Sequence, residues 1–411
     1  MGKKTITVNK KLGSFVAFIL AISPILDPYI IFSIADFSIK LMELIMVLLF
    51  TYITLSKKNL YNPNKEISLL LGFFFFLTLL SFLAPTEGRN FILGMKVIII
   101  WSLYALFVNT LWKVNLKEKF IRYTIRIAII GTILIIIQFV GVSFGYNNFF
   151  DGKISFLQLG FNEDWAGLID PNTGDIRVHS FFQESSYFGI YLLPILAYSL
   201  KKERIILTSF LFLGLLISSS LVSILGGLAV IILILLNSKL FSEKINIRFW
   251  KRVSIISLIA ILFIIALYNY NSSVNNIINY SLNRFHLIKS DLSGERLGST
   301  KLRIIGYAKY FETFPQYLRI VGTGAAQYPL YLSQYGVVAY SSTFVTILLN
   351  YGLLGITTFV LWCLELFFRT DSDKRIYLFI FILMCFVDNI WFNWYFFYLL
   401  TWFLPSNKEK N

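Results

Sequence analysis

The chain has 411 residues, of which 57% are hydrophobic, 18% are aromatic and only 14% are charged. A soluble domain of this length needs many more charged groups on its surface, so the composition excludes that class of protein. It predicts an all-α polytopic membrane protein, and we expect the lipid bilayer and no nucleic acid among its partners. The two cysteines, Cys363 and Cys385, follow neither a disulfide nor a zinc-binding pattern.

Apolar runs recur along the whole chain, and a helix needs about 20 residues to cross a bilayer. A chain in lipid must satisfy its own backbone hydrogen bonds, which favours helices. We therefore predict about twelve transmembrane helices in a single integral membrane domain, residues 1–411. In chain order the predicted spans are 13–26, 39–56, 67–84, 94–112, 121–140, 187–200, 205–218, 221–236, 253–270, 343–367, 376–389 and 391–404.

Basic residues predict the orientation of these helices. Seven terminal or connecting segments together hold 25 of the 37 lysines and arginines but only 7 of the 22 acidic residues. Cytoplasmic loops carry such an excess of basic residues, so both termini should be cytoplasmic. Residues 141–186 and 271–342 then form two long extracytoplasmic loops. The basic segments are 1–12, 57–66, 113–126, 201–204, 237–252, 368–375 and 405–411.

The first extracytoplasmic loop, residues 141–186, holds six acidic and two basic residues. Near its end the turn signal DPNTGD is followed by IRVHSF, in which apolar and polar residues alternate. Alternation predicts a short extended segment, because successive side chains of a strand point to opposite faces. Arg177 and His179 should therefore lie on one side of this segment.

The helix that follows the first loop is predicted to begin at Ser185 or Ser186, which are plausible N-caps. A helix that enters the membrane from outside presents its positive dipole end to the outer face, and this end attracts phosphate. The guanidinium of Arg177 can bind a phosphate through two hydrogen bonds. The alternative is that Arg177 only pairs with Asp175 or Glu184 at the membrane interface.

The second extracytoplasmic loop, residues 271–342, holds seven basic and three acidic residues. Cations on the outer side depart from the rule that predicted the topology, and an anionic partner at the outer surface would explain them. The alternative is that long translocated loops are largely exempt from this rule.

Within the second loop, residues 300–314 are predicted to form an amphipathic helix, capped by Ser299 or Thr300 and ended by Pro315. Spacings of three and four residues place a cation and aromatic rings on one stripe, which suits phosphates and sugar rings. The alternative is a plain interfacial helix whose basic side chains reach the water. The residues of the stripe are Arg303, Tyr307, Tyr310 and Phe314.

The end of the second loop contains a flexible turn and a helix start. Gly322 and Gly324 flank one threonine in the turn, and Ser341 and Ser342 begin an inward-running helix whose N-terminus lies outside. If the helices are neighbours, two helix N-termini and several arginines converge on one outer surface.

Four short motifs together resemble the Wzy-type O-antigen polymerases and the related O-antigen ligases of bacterial polysaccharide assembly. They are RVHSFFQESSYFG from Arg177, RIIGY from Arg303, the GTG turn and STFVTILLNYGLLG from Ser342. The resemblance implies a GT-C-like membrane glycosyltransferase that works without a metal. It also implies an active site at the periplasmic face of the inner membrane and oligosaccharide substrates linked to undecaprenyl pyrophosphate.

The resemblance also implies roles for particular residues. Arg177 and Arg303 take the positions of the family's loop arginines, and Glu184 with Ser186 takes the place of its acid and serine. Ligases generally carry a histidine where this chain has Ser341 and Ser342. This departure favours a polymerase over a ligase.

The expected chemistry needs few groups, because a glycan bonded to pyrophosphate already has a good leaving group. Cations on the departing phosphates matter more than a proton donor, and the candidates are Arg177, Arg303 and Arg296. The attacking sugar hydroxyl needs a general base, for which Glu184 ranks ahead of Glu295 and His179. The remaining expected substrate-binding residues are Ser186, Tyr307, Gly322, Gly324, Ser341 and Ser342.

No metal pair, phosphate-binding loop or dinucleotide motif stands in either outer loop, so no cofactor is expected. Two alternatives to a polymerase stay open: a ligase that transfers glycan to lipid A core, and a flippase for lipid-linked oligosaccharides. A flippase would need substrate-binding groups near the midplane and repeated halves, and the sequence has no internal repeat. By resemblance, a chain-length regulator and a flippase of the same pathway are expected partners.

Overall fold

The computed structural model describes residues 10–34, 37–55, 65–83, 89–114, 116–146, 150–152, 160–161, 167–169, 177–218, 220–240, 307–308, 310–336 and 342–403. These residues fall into two compact units. The first unit comprises Met1–Phe120 and Ser290–Asn411, and the second comprises Ile121–Lys289. The single integral domain expected for residues 1–411 stays a prediction.

Helices make up most of the described residues in both units, as the composition predicts. The first unit contains α1 (Lys10–Leu26), β1 (Tyr29–Ile34), β2 (Phe37–Lys40), α2 (Leu41–Leu55), α3 (Lys65–Ser81) and α4 (Phe91–Val114). The helix α5 (Lys117–Ser143) begins in the first unit and continues into the second. The second unit continues with β3 (Gly160–Phe161), α6 (Ser185–Lys201), α7 (Ile205–Ile217) and α8 (Leu221–Leu240). The chain ends in the first unit with α9 (Gln316–Val321), α10 (Tyr328–Ser333), α11 (Thr343–Arg369), α12 (Ser372–Val387) and α13 (Trp394–Phe403).

Eleven of the predicted spans coincide with helices, and each boundary agrees within four residues. The twelfth, 253–270, lies outside the described residues. Of the predicted helix 300–314, residues 307–308 and 310–313 are helical, and the helical stretch ends before Pro315. Residues 300–306 and 309 lie outside the described residues, so the full helix stays a prediction. Long apolar runs therefore predicted helix positions well.

Two of the described helices are long and apolar enough to cross a membrane by length and composition, namely Lys117–Val142 within α5 and Thr343–Arg369, which is α11. Six further apolar helical stretches are shorter, with 10–17 residues each. These features are consistent with membrane association, whereas about twelve crossings stay a prediction.

The interior of the first unit is rich in aromatic side chains. The helix α11 packs on α3, α9 and α12, and α13 packs on α12 and α1. The ring centroids of Trp101 and Trp391 lie 4.5 Å apart. Tyr351 stacks on Phe74 with centroids 4.4 Å apart. Aromatic side chains thus pack between several helices and contribute to the core, since such rings bury large areas.

An antiparallel hairpin of β1 and β2 follows α1, and the sequence patterns did not predict it. Ser33 pairs with Ser38, and the pairing is irregular between Ile30 and Phe32, nearer the start of β1. Two ion pairs stand at its base: Lys40 Nζ lies 3.0 Å from Asp27 Oδ1, and Lys96 Nζ lies 2.9 Å from Glu43 Oε2. Asp27 and Glu43 are both buried, and burying an unpaired charge is costly. The two ion pairs therefore stabilise these carboxylates.

The second unit is built around α6, which packs on α8 and α7. Most residues of α6 are buried, including Phe188 and Tyr191. The Ser223 hydroxyl of α8 donates a 3.2 Å hydrogen bond to the carbonyl oxygen of Ser185. This bond fixes the first turn of α6 against α8.

Candidate functional site

The segment that leads into α6 carries the first group of predicted site residues. Arg177 is half-buried, and its backbone N–H donates a 2.7 Å hydrogen bond to the carbonyl oxygen of Leu168. Val178 and His179 are both fully buried. Arg177 and His179, which were expected on one side of an extended segment, thus differ in burial. His179 therefore lies in the interior, while the Arg177 side chain is partly accessible.

The buried side-chain amide of Gln138, on α5, holds this segment in place. Its Nε2 donates to the carbonyl oxygens of Ser180 at 2.9 Å and Phe150 at 3.1 Å. Its Oε1 accepts from the backbone N–H groups of Ser180 at 2.7 Å and His179 at 3.3 Å. Ser180 has φ of 60°, so the chain turns sharply at the point that Gln138 clamps.

Sequence patterns missed Gln138, although one signal was present. It is a lone amide in the apolar run of α5, and a polar side chain at such a position is usually hydrogen-bonded. In the structure its amide makes four hydrogen bonds to backbone groups.

The N-cap of α6 differs from the prediction. Glu184, with φ of −144° and ψ of 160°, is the N-cap, whereas Ser185 and Ser186 are the first helical residues. The Ser186 hydroxyl donates a 3.0 Å hydrogen bond to Glu184 Oε2. The acid and the serine that the family resemblance selected are therefore in direct contact, and this contact orients the carboxylate at a helix N-terminus.

The second group of predicted site residues lies in the first unit. Tyr307 is 41% exposed. By contrast, Tyr310 and Phe314 of the predicted stripe are buried, so packing accounts for those two positions. Ser342 is the N-cap of α11, as predicted, although its side chain makes no capping hydrogen bond. The predicted residues Arg303, Glu295, Arg296 and Ser341 lie outside the described residues.

The N-terminus of α11 is held by the turn between α12 and α13. The backbone N–H and the hydroxyl of Thr343 donate to the carbonyl oxygen of Asp388 at 3.0 and 2.9 Å. The Thr343 hydroxyl in turn accepts a 2.9 Å hydrogen bond from the Ile390 N–H. The helix start that the sequence predicted is thus fixed by a neighbouring turn.

The predicted GTG turn packs against a break in α11. Gly352 has φ of 63° and ψ of −162°, which interrupts the helix. The Thr323 N–H donates to the carbonyl oxygen of Leu349 at 3.1 Å, and the Gly324 N–H donates to that of Asn350 at 2.8 Å. A Cβ atom at Gly322 would lie only 2.2 Å from the carbonyl carbon of Asn350. The turn is therefore tightly fitted, not flexible as predicted.

Two buried amides join this turn to neighbouring helices. Asn350 Oδ1 accepts from the backbone N–H groups of Gln327 at 3.2 Å and Tyr328 at 3.3 Å. Gln327 Oε1 accepts from the Asn90 N–H, just before α4, at 2.6 Å. The starts of α4 and α10 and the break in α11 are thereby connected through hydrogen bonds.

A cation that the sequence patterns did not single out lies beside the turn. Arg89 Nη1 donates to the carbonyl oxygens of Ser81 at 2.6 Å and Thr323 at 3.3 Å. Burial lowers the pKa of Arg89, and the nearby hydroxyl groups of Tyr331 and Tyr317 oppose this shift. An arginine in a protein stays protonated, so a positive charge is present at this turn.

Comparison with models of protein families, with curated proteins and with solved structures finds no match to this chain. The arrangement of its own residues therefore has to support any functional assignment.

Proposed function

We propose that this chain is a polymerase of surface polysaccharide repeat units, an integral membrane glycosyltransferase of the bacterial inner membrane. It transfers the growing glycan from undecaprenyl pyrophosphate to the next lipid-linked repeat unit at the periplasmic face. Expected partners are a flippase and a chain-length regulator of the same pathway.

Exposed apolar side chains support the membrane part of the proposal. The exposed fraction is 59% for Leu48 on α2, 74% for Leu69 on α3, 54% for Ile130 on α5 and 60% for Leu361 on α11. Water-exposed helices rarely carry so many large apolar residues, whereas lipid tails would cover them at no cost. In the proposed topology, about twelve helices cross the bilayer and both termini are cytoplasmic.

The contact between Glu184 and Ser186 is the observation that carries the catalytic part. It fixes a carboxylate seven residues after Arg177, at the start of a buried helix. In the proposed reaction, a hydroxyl oxygen of the acceptor sugar attacks the anomeric carbon of the donor glycan. The bond from that carbon to the pyrophosphate oxygen breaks, and the lipid pyrophosphate leaves with the electron pair. Glu184 accepts the hydroxyl proton.

The charge that develops on the leaving pyrophosphate requires cations. Arg177 and Arg303 supply them, and Arg296 is a further candidate, because a preorganised positive charge stabilises a transition state in which negative charge grows. No metal ion or cofactor is part of the proposal.

Ser341 and Ser342 favour a polymerase over a ligase, because a ligase of the resembled family would be expected to carry its histidine there. The two activities predict different products after loss of the gene. A ligase moves a finished polymer once, so its loss strands long polymer on the lipid carrier. A polymerase adds units repeatedly, so its loss leaves surface lipid with at most one repeat.

The test is therefore a deletion strain complemented with the intact chain or with the Glu184→Gln variant, each at matched membrane level. Surface glycan is then resolved by gel electrophoresis. We expect one-repeat product in the deletion, a full ladder with the intact chain and little or no ladder with Glu184→Gln. Long polymer retained on the carrier would instead identify a ligase, and an unchanged ladder would exclude both activities.

A further inference from the structure

A cavity open to solvent lies beside the short helices α9 and α10 in the first unit. Its volume is about 520 Å³, within the range of small-molecule sites. Its walls come from the segment before α9 and from the end of α10. The cavity thus lies at the start of α9 and the end of α10, whereas the GTG turn lies between the other ends of these two helices. Its principal lining residues are Glu312, Phe314, Tyr331, Gln334 and Tyr335.

Aromatic rings form one wall of the cavity. The ring centroids of Phe314 and Tyr331 lie 5.0 Å apart, and those of Tyr331 and Tyr335 lie 5.5 Å apart. Phe314 and Tyr331 are buried, whereas 51% of Tyr335 is exposed. The wall therefore has a rigid buried base and one exposed ring.

Polar groups complete the lining. The Tyr331 hydroxyl donates to the carbonyl oxygen of Thr313 at 3.2 Å and lies 3.3 Å from the Tyr335 hydroxyl. Burial raises the pKa of Tyr331, so its hydroxyl stays protonated at neutral pH. Glu312 and Gln334 are both exposed and add a carboxylate and an amide. Together these groups can both donate and accept hydrogen bonds.

The cavity wall is preformed by contacts from Arg319 on α9. Its Nε donates a 2.8 Å hydrogen bond to the carbonyl oxygen of Phe314, and its guanidinium also contacts the carbonyl oxygen of Phe311. The Tyr310 hydroxyl donates to the carbonyl oxygen of Arg319. These bonds hold the segment before α9 in one conformation, which reduces the entropy lost on binding.

The chemistry of the lining selects among ligands. Among the described residues that line the cavity there is one carboxylate and no lysine or arginine, which disfavours a phosphate group. The carboxylate, the amide and the phenols likewise disfavour a lipid tail. An exposed aromatic ring beside grouped hydrogen-bonding side chains suits a molecule with one apolar face and many hydroxyl groups.

We propose that this cavity binds a pyranose ring of the glycan, with the ring face on Tyr335 and the sugar hydroxyls on Glu312 and Gln334. The inference rests on the proposed function for the origin of the sugar. It places a saccharide subsite within the second predicted extracytoplasmic loop, residues 271–342.

The experiment measures binding without turnover. Short oligosaccharides are released by mild acid from the surface polysaccharide of the host cell, and their binding to the purified full chain in detergent is titrated by saturation-transfer NMR. The cavity variants are Tyr335→Ala, Tyr335→Phe and Glu312→Gln. Tyr146→Ala, an exposed tyrosine of the second unit, and Gln316→Ala, an exposed neighbour outside the cavity, are matched controls.

We expect Tyr335→Ala and Glu312→Gln to weaken binding about tenfold or more, since each removes a major contact. Tyr335→Phe should keep most of the affinity, and both controls should bind as the wild type does. No binding by the wild type, or equal binding by all variants, would overturn the inference. If the chain still binds sugar but the deletion strain makes an unchanged ladder, the proposed polymerase activity is overturned while the proposed saccharide subsite stands.

Discussion

The backbone N–H of Gly324 donates a 2.8 Å hydrogen bond to the carbonyl oxygen of Asn350, a residue inside a long apolar helix. This contact exists because Gly352 breaks the helix two residues later and its conformation interrupts the regular hydrogen-bond pattern. A turn in a predicted outer loop is thereby joined to a helix long enough to cross a membrane.

Gly322→Ala should destabilise the protein strongly. At this position φ is 78°, and an added Cβ atom would meet the backbone of Asn350 at 2.2 Å. The left-handed conformation alone costs about 1–2 kcal/mol for a residue other than glycine, and the clash adds to it. Thermal unfolding in detergent should show a clear decrease in Tm.

Two other glycines serve as controls for Gly322→Ala. Gly336 has φ of 66° with no atom within 4 Å of an added Cβ, so Gly336→Ala tests conformational strain alone. Gly72 lies in α3 with open space around it, so Gly72→Ala should leave stability unchanged or raise it by about 0.5–1 kcal/mol. Equal Tm values for all three variants would contradict the tight fit of the turn.

Gln138→Leu should lower both stability and activity. It removes the amide that contacts the backbone of Phe150, His179 and Ser180, and each buried polar group left unsatisfied costs about 1–3 kcal/mol. The segment that positions Arg177 would lose its clamp. Urea unfolding and polymer assays measure the two effects. Gln316→Leu, at an exposed position, is the control and should change neither.

Lys40→Met should make stability more sensitive to pH. Burial raises the pKa of Asp27 from 3.8, and the Lys40 ammonium opposes this shift, while Glu43 adds to it. Because the folded carboxyl holds its proton more tightly, its contribution to stability is largest below about pH 4 and declines as pH rises through the folded pKa. Without Lys40 this decline should become steeper.

Tm measured between about pH 4 and 8 tests this prediction. Asp27→Asn added to Lys40→Met should flatten the profile again, since no carboxyl remains to titrate at that position. Parallel profiles for the wild type and Lys40→Met would show that the ion pair does not control the Asp27 proton.

Ser333→Cys should react with a membrane-impermeant thiol reagent in intact cells whose outer membrane has been made permeable. Ser333 is exposed in the second predicted outer loop, whereas Ser372 is exposed in a predicted cytoplasmic segment. The native Cys363 and Cys385 are free and buried, so background labelling should be low. Ser372→Cys should react only after cell lysis, and the reverse pattern would invert the proposed topology.

Arg177→Ala and Arg303→Ala should each reduce polymer formation about a hundredfold or more, as expected when a preorganised charge is removed from a reacting phosphate. Arg→Lys at either position should restore only part of the activity, because the charge remains while the planar fork is lost. The control is Arg369→Ala, which removes an exposed ion pair with Glu365. Near-normal ladders from the alanine variants would assign both arginines a role outside catalysis.

The positions of the helices could be predicted from the sequence alone. A stretch of apolar residues in this chain is long and uninterrupted, and a helix satisfies its backbone hydrogen bonds within the stretch itself. The helix start at Ser342 was also predicted from the serine pair, although the Ser342 side chain makes no capping hydrogen bond. The free, buried state of both cysteines agrees with the absence of any pairing motif.

Local patterns were less reliable where partners come from distant parts of the chain. The N-cap of α6 is Glu184 rather than Ser185 or Ser186. Alternation was expected to place Arg177 and His179 on one side of the segment, and the structure shows that His179 is fully buried while Arg177 is half-buried. The clamp of Gln138 and the bulk of the second unit decide these positions, and neither can be inferred from alternation over six residues.

The sequence by itself determined the composition class, the helix positions and the motifs in the two predicted outer loops, because each depends on nearby residues. Only the tertiary structure decided that the GTG turn is tightly packed, that Arg89 lies beside it and that Gln138 holds the Arg177 segment. Each of these features depends on contacts between distant parts of the chain. Thr323 and Leu349 are 26 positions apart, Arg89 and Thr323 are 234 apart, and Gln138 and Ser180 are 42 apart. Hydrogen bonds over such separations form only once the helices have packed, so no local pattern encodes them.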